Sequence, residues 1–461
     1  MVTITADAAL LPDGWHEDVV VQIGDNGRIN RVNSGVNAPS PSSHPLNTHV
    51  SHLLPAPVNV HSHAFQRAMA GLTEHRSSNT TDSFWTWREL MFRFLDKLTP
   101  DHIEAISAFA QMEMLQAGYA TNVEFHYLHH SPDGSAYQNL SEMANRIMAG
   151  ALKTGIGLTL LPVHYQFGGC DFRALTRGQC RFYNDLDQFA DLCDAIRQGL
   201  TALPDDTGFG VAPHSLRAVA PDSLAHSLRL ADGGPYHMHL AEQTGEVDEI
   251  LHYLGARPVE WVLDNMAIDA RCCFIHLTQM QPDETAALAK TGAIAGLCPI
   301  TEANLGDGIF DGVNWLNRGG RIAIGSDSNI RISLSEELRA LEYSQRLRDR
   351  SRAALATADK STGRRIFDKI TTGGAMAAGR KTGRIEAGYF ADVMALDGRA
   401  IDLVGRSGDA VLDSFVVAAD DRLVRDVWAA GRHMVTAGKH RHNRSITTAY
   451  RATIQSLQAL I

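Results

Sequence analysis

The sequence predicts an α/β fold: a (β/α)8 barrel of the TIM type carrying a small β-sandwich-like domain formed from both termini. Three observations lead there. Apolar runs alternate with amphipathic segments through the middle of the chain. Eight such units fit between residues 57 and 327, close to the roughly 250 residues of a closed barrel. Both ends carry Gly-punctuated, strand-like pieces instead. An open doubly wound sheet of eight strands is the alternative.

Taken in order, residues 1–55 hold short alternating pieces such as "DVVVQIGDNGRINRV", with a hairpin turn at Asp25-Asn26-Gly27. A Pro/Ser-rich surface loop, "NAPSPSSHP" (37–45), follows. The eight runs are "PVNVHSH" (57–63), "YATNVEFHY" (119–127), "GLTLLPVHY" (157–165), "GFGVAPHS" (208–215), "PYHMHLAE" (235–242), "CCFIHLT" (272–278), "GAIAGLCP" (292–299) and "RIAIGSD" (321–327). Each is rich in Val, Ile, Leu or aromatics and bounded by Gly, Pro or a polar turn, as strands buried on both faces require. Between Asp82 and Thr99, Phe84, Trp87, Met91, Phe94 and Leu95 share one helical face, so the "FWTW" tryptophans read as core. Thr99 can cap the next helix with Pro100 at its first position, and Gly118 can end it. Helices are expected over Leu334–Leu355 and from Ser445. The domains are therefore 1–55 with 383–440 as the small β domain, 56–382 as the barrel, and 441–461 as a helical tail.

With 461 residues, 44% of them hydrophobic, the chain can bury a large core. A formal charge of -10 with no long basic run excludes nucleic acid and acidic membranes as partners. No apolar run approaches the ~18 residues of a membrane span, and the N-terminus lacks the basic and apolar regions of a secretory signal. Six cysteines without a paired CxxC pattern read as reduced thiols, which places the chain in the cytoplasm.

In a (β/α)8 barrel, chemistry sits where strands end at the C-terminal face. His61 and His63 stand at i and i+2 there, so both rings project to one side. The fifth run ends at His239 with Glu242 three residues on, the sixth at His276, and the eighth at Asp327, a carboxylate costly to bury without a partner. Three imidazoles and one carboxylate make a ligand set for one Zn²⁺ or Fe²⁺ with room for water. His237 reads as a packed, hydrogen-bonded histidine deeper in the barrel. His126, His129 and His130 line a pocket or loop, and "HRHNR" (440–444) is a solvated surface run.

These motifs resemble the amidohydrolase superfamily, whose members bind metal through an HxH after strand one, a histidine after strand five and an aspartate after strand eight. The match assigns His61, His63, His239 and Asp327 to those roles. "GVAPHS" offers no lysine for a second metal, and the HxxE spacing from His239 to Glu242 looks like the mononuclear deaminase branch. Within it, "HSHAFQRAMAGL", "DSFWTWREL", "EFHYLHH", "APHSLRAV", "HLAEQTGEVDE", "GARPVEW", "TEANLGDGIF" and "GSDSNIRISLSEELRALEY" are similar to the formimidoylglutamate deiminase family over nearly the whole barrel.

That resemblance implies hydrolysis of N-formimino-L-glutamate to N-formyl-L-glutamate and ammonia in histidine degradation. It implies one divalent metal per subunit, Zn with Fe as the alternative, and a homodimer. Asp327 would ligate the metal and take a proton from water, His276 would orient the nucleophile, and Glu242 would shuttle a proton to the departing nitrogen. Arg217 and His214, with Arg88, Gln66 and Tyr127 at the matching family positions, would bind the small dicarboxylate substrate. Ala56 and Asn329 depart from the family pattern, at a glycine and a histidine position, and the loop after the third strand is short. Two rivals stand beside this reading: a deaminase of another amidine or a base, and a catalytically dead barrel serving as an assembly protein.

Overall fold

The structure is a computed structural model that describes residues 2–35, 47–74 and 84–459. The side chains of residues 84–86, 88 and 89 lie outside that description, as does the Pro/Ser-rich segment 37–45. Strands β1 (Val2–Leu11), β2 (Gly14–Ile23), β3 (Ile29–Asn33) and β4 (Asn47–Pro55) come from the N-terminal region. The hairpin expected at Asp25-Asn26-Gly27 joins β2 to β3: Gly24 N–H donates to Arg28 O and Gly27 N–H to Gly24 O. Gly27 sits at φ 72°, and a Cβ there would meet Ala430 O at 2.5 Å, so the turn tolerates no side chain.

The barrel follows with β5 (Val58–Ser62), β6 (Thr121–His126), β7 (Gly157–His164), β8 (Thr207–Phe209), β9 (Ala212–Pro213), β10 (Tyr236–Leu240), β11 (Cys272–His276), β12 (Ile294–Leu297) and β13 (Arg321–Ile324). All eight predicted runs are present, the fourth divided into β8 and β9 around Gly210. A Cβ on Gly210 would stand 2.4 Å from Pro235 O, so the chain breaks its ladder where it passes the neighbouring strand. Parallel pairing runs from β10 through β11, β12, β13, β5 and β6 to β7 and β8/β9. A bridge from Val211 to Tyr236, with His237 N–H donating to Val211 O, closes the ring.

From the C-terminal region come β14 (Val393–Leu396), β15 (Val424–Ala429), β16 (Arg432–Thr436) and β17 (Lys439–His440). They complete one mixed sheet in the order β17-β16-β15-β14-β4-β1-β2-β3. Its inward residues Ile4, Val19, Val21, Leu53, Val393 and Trp428 form a core of their own. At its junction with the barrel, buried Asp392 accepts from Arg380 Nη2 (2.9 Å), Thr382 Oγ1 (2.7 Å), Thr121 Oγ1 (3.3 Å) and Ala430 N (2.6 Å).

The predicted Thr99 cap holds: His102 N–H donates to Thr99 Oγ1 at 3.3 Å, and the helix Pro100–Ala117 ends at Gly118 with φ 107°. Two expectations are corrected. The helix from Leu334 stops at Asp349 rather than Leu355, because Arg350 turns left-handed and buried Glu342 takes the amides of Ala354 (2.8 Å) and Leu355 (3.0 Å). His440 is not part of a solvated run. It is buried, with Nε2 at 2.8 Å from Thr154 O, and the helix Asn443–Gln458 packs on Pro100–Ala117 through stacked Tyr450 and Phe109 rings 3.9 Å apart.

Candidate active site

Strand ends bring the predicted ligands together. His61 and His63 project from the end of β5 with ring centroids 4.6 Å apart. His61 Nε2 lies 3.1 Å from His239 Nε2, while Asp327 Oδ1 lies 3.4 Å from His61 Nε2 and 3.2 Å from His63 Nε2. One donor atom from each of the four residues falls within 4.8 Å of the others, and all four residues are buried. Backbone bonds fix the meeting point: Asp327 N–H donates to His61 O, and His63 N–H to Asp327 O, both at 2.9 Å. Asp327, Ala241, His276 and Leu277 all adopt positive φ, a local strain concentrated where the strands turn into the site.

The electrostatics suit a cation. Burial, with His63 beside it, pushes His61 down to about 3, and burial among the other imidazoles holds His239 well below its usual value. These rings are therefore neutral. His239 Nδ1 faces His214 O at 3.0 Å and His63 Nδ1 faces Phe125 O at 3.1 Å, so each carries its proton on Nδ1 and turns an Nε2 lone pair inward. Burial alone would raise the Asp327 carboxyl, but its contact with His61 and the facing His276 imidazolium hold it below the carboxylate range. Inward lone pairs beside an ionised carboxylate fit a divalent metal.

Across the cluster, His276 Nε2 stands 3.7 Å from Glu242 Oε1 and 3.8 Å from Asp327 Oδ2. Burial pushes the Glu242 carboxyl up to about 7, the range in which it can both take and give a proton near neutrality. Burial disfavours the His276 imidazolium, but Glu242, Glu302 and Asp327 outweigh it and raise His276 well above its usual value. Glu246, which the sequence did not single out, grips the turn after β10, accepting from Ala241 N (3.1 Å) and Glu242 N (2.8 Å).

A cleft reaches this cluster. It is lined by His63, His239, Glu242, His276 and Asp327 at its floor, and by Gln66, Tyr127, His214, Arg217 and Trp87 among its walls. Gln66 Nε2 donates to Tyr127 Oη at 2.8 Å, and His214 packs its ring 4.8 Å from that of Tyr165. Burial works against the Arg217 charge, but Glu246 and Glu242 more than restore it, leaving a cation in the wall. Arg88 lies on the helix Phe84–Leu95, with its side chain outside the described residues.

His237 is packed as expected, Nε2 2.8 Å from Ala377 O, and lies apart from the ligand group. His126 and His129 are buried neighbours with ring centroids 5.3 Å apart. Asn329, the departure from the family pattern, does not line the cleft; it donates to Ser62 Oγ (3.1 Å) and accepts from Ser326 Oγ (2.5 Å). Sequence reasoning missed Glu302 and Asp307, two buried acids of "TEANLGDG" that approach His276. A first-turn glutamate reads as an ordinary partner of the helix N-terminus, so only a buried acid straight after an apolar run hinted at more.

An amidohydrolase family model matches residues 52–434, so the fold and the site define an enzyme of the amidohydrolase family, to which the chain belongs. A second model, for the N-terminal domain of formimidoylglutamate deiminase HutF, matches residues 1–42. A Pseudomonas aeruginosa protein named formimidoylglutamate deiminase is 45% identical over 442 residues, covering 95% of this chain and 96% of its own. Within the family the chain therefore belongs with the formimidoylglutamate deiminases. A crystal structure of an amidohydrolase from Brucella melitensis superposes with a TM-score of 0.94 at 44% identity, covering 99% of this chain and all of that one. An adenosine deaminase from Xanthomonas campestris with bound zinc shares the fold at a TM-score of 0.81 and 20% identity, covering 99% and 98% of the two chains.

Proposed function

We propose that the chain hydrolyses N-formimino-L-glutamate to N-formyl-L-glutamate and ammonia, a step of histidine degradation in the cytoplasm, with one divalent metal per subunit. The observation that carries this reading is a cleft with a metal-type His/Asp cluster and Glu242 on its floor and a charged Arg217 in its wall. The kinship to the Pseudomonas aeruginosa protein names the substrate.

His61, His63, His239 and Asp327 would hold the metal, with zinc proposed over iron. A bound metal of this kind lowers the pKa of water from 15.7 toward about 7. The chain's own residues do the rest. His276, donating from Nε2, orients the attacking water, and Asp327 takes its proton. The water oxygen bonds to the formimino carbon; the bond from that carbon to its terminal nitrogen then breaks. Starting from the protonated formimino group, Glu242 delivers a proton to that nitrogen, so it leaves as ammonia rather than as an amide anion, and then takes up the hydroxyl proton left on the carbon, which becomes the carbonyl. The other nitrogen stays with the glutamate portion as a formamide.

Arg217 and His214 meet one substrate carboxylate, and Gln66 and Tyr127 give further polar contacts, Arg88 being the remaining family position. An Arg guanidinium pairs with a carboxylate bidentately and with full charge assistance, which a neutral purine or pyrimidine edge does not supply. The proposed assembly is a homodimer, on the family resemblance. The test is ammonia release from N-formimino-L-glutamate by zinc-loaded protein, with Glu242→Gln and guanine as parallel controls. Turnover lost in the variant and absent with guanine supports the reading; an intact, metal-loaded chain that leaves the substrate untouched overturns it.

A further inference from the structure

We infer that Glu302, on the helix Pro299–Leu305 after β12, is a positioning residue: its carboxylate holds the His276 ring by Nδ1 and so turns Nε2 toward Glu242 and Asp327. This rests on the role given to His276 above.

The backbone of His276 does not by itself set which edge of the ring faces the cleft. The residue ends β11 at φ 75° and is followed by Leu277 at φ 56°, so the chain leaves the sheet there. Its ring stacks on that of His239 at 5.6 Å and 11°. Stacking sets the plane of a ring but not which edge faces the cleft. The two groups on the cleft side, Glu242 Oε1 at 3.7 Å and Asp327 Oδ2 at 3.8 Å, stand beyond hydrogen-bond distance and do not decide it. Glu302 Oε1 does, at 3.3 Å from Nδ1.

Glu302 is itself anchored. The same Oε1 accepts from Cys298 N at 2.8 Å, the Glu302 amide donates to Cys298 O at 2.9 Å, and the Glu302 carbonyl accepts from Asp307 N at 3.0 Å. Its side chain is buried behind His276 and does not line the cleft, so it acts through the histidine and not on the substrate. A carboxylate acceptor on one nitrogen leaves the other as the working atom, the arrangement that fixes a histidine whose second nitrogen serves a reaction.

The experiment compares zinc-loaded wild-type chain with Glu302→Ala, Glu302→Gln and His276→Ala. Glu302→Ala should lower kcat by about 10- to 100-fold, the scale of a small misplacement, with KM within about twofold and metal content unchanged. Glu302→Gln should return to within about threefold of wild type, because its amide oxygen still accepts from both His276 Nδ1–H and Cys298 N–H. If Glu302→Ala fails to fold, Glu302→Asp, which keeps the charge but shortens the reach, should show the same loss of kcat at constant KM. Wild-type rates in Glu302→Ala beside an impaired His276→Ala would overturn the inference and leave the mechanism standing. Loss of kcat, substrate affinity and metal together, not restored by Gln, would reduce Glu302 to a structural cap and overturn it too. An active His276→Ala would overturn both.

Discussion

His61 and His239 point Nε2 at Nε2 across 3.1 Å. Burial keeps both rings neutral, and His239 donates its one proton away, from Nδ1 to His214 O. With the Asp327 carboxylate 3.4 Å from the His61 nitrogen, the pair forms one side of a pocket that suits a cation. Chelation should therefore abolish ammonia release and lower the melting temperature, and stoichiometric zinc should restore both. Elemental analysis should find about one metal per chain; His61→Ala should lose it. Full activity in rigorously metal-free protein would contradict the ligand assignment.

Glu242→Gln keeps the size of the side chain and loses the proton it carries. We expect kcat to fall by roughly 100- to 10,000-fold, the usual worth of a positioned acid or base, with metal content unchanged. Single-turnover kinetics will show whether the carbon–nitrogen cleavage is the step that slows.

Arg217→Met removes the charged wall of the cleft while keeping an unbranched side chain. Charge-assisted hydrogen bonds of this kind are worth about 1.5–3 kcal/mol, so KM should rise by roughly 10- to 100-fold. Competitive inhibition by dicarboxylate analogues should weaken in parallel. Unchanged inhibition would place the carboxylates elsewhere.

His126 offers a test of acid stability. Burial pushes it down to about 3 from its ordinary 6.5, and its buried Nε2 has no partner among the described residues. Between those values the unfolded chain binds a proton that the folded chain refuses, so the fold weakens as pH falls below 6.5. From pH 6.5 to 5 this one group costs about 2 kcal/mol. In His126→Leu, urea titrations should show a shallower loss of stability over that interval; an unchanged slope would mean that His126 is protonated in the folded state.

Asp392 gathers four donors where the terminal sheet meets the barrel. Asp392→Ala would take from the buried Arg380 guanidinium its 2.9 Å partner and leave it Asp206 at 3.7 Å, and should cost about 3 kcal/mol in chemical denaturation. Kinetic constants of the protein that remains folded should be unaffected.

The barrel was legible because strands buried on both faces leave continuous apolar runs, and the ligands because each closes such a run with a polar residue. The division of the fourth strand was not legible, since the crowding at Gly210 comes from Pro235, a neighbour only in space. The end of the helix at Asp349 was hidden for a related reason: Glu342 captures the amides of Ala354 and Leu355, and nothing in the local periodicity records that bond. Asn329 stood out in the sequence as a departure from the family pattern, and it serves the strand ends through Ser62 and Ser326. Glu302 and Asp307 lay inside a motif that was read for kinship and not for chemistry.

Strand β4 pairs with β1 on one side and with β14 on the other, and β14 lies roughly 340 residues further along the chain. During translation at about 5–20 residues per second, β4 must then wait roughly 20–70 seconds with one edge open. The first strands to leave the ribosome are among the last to be completed, so the nascent chain, more than the finished enzyme, bears this fold's greatest exposure to aggregation.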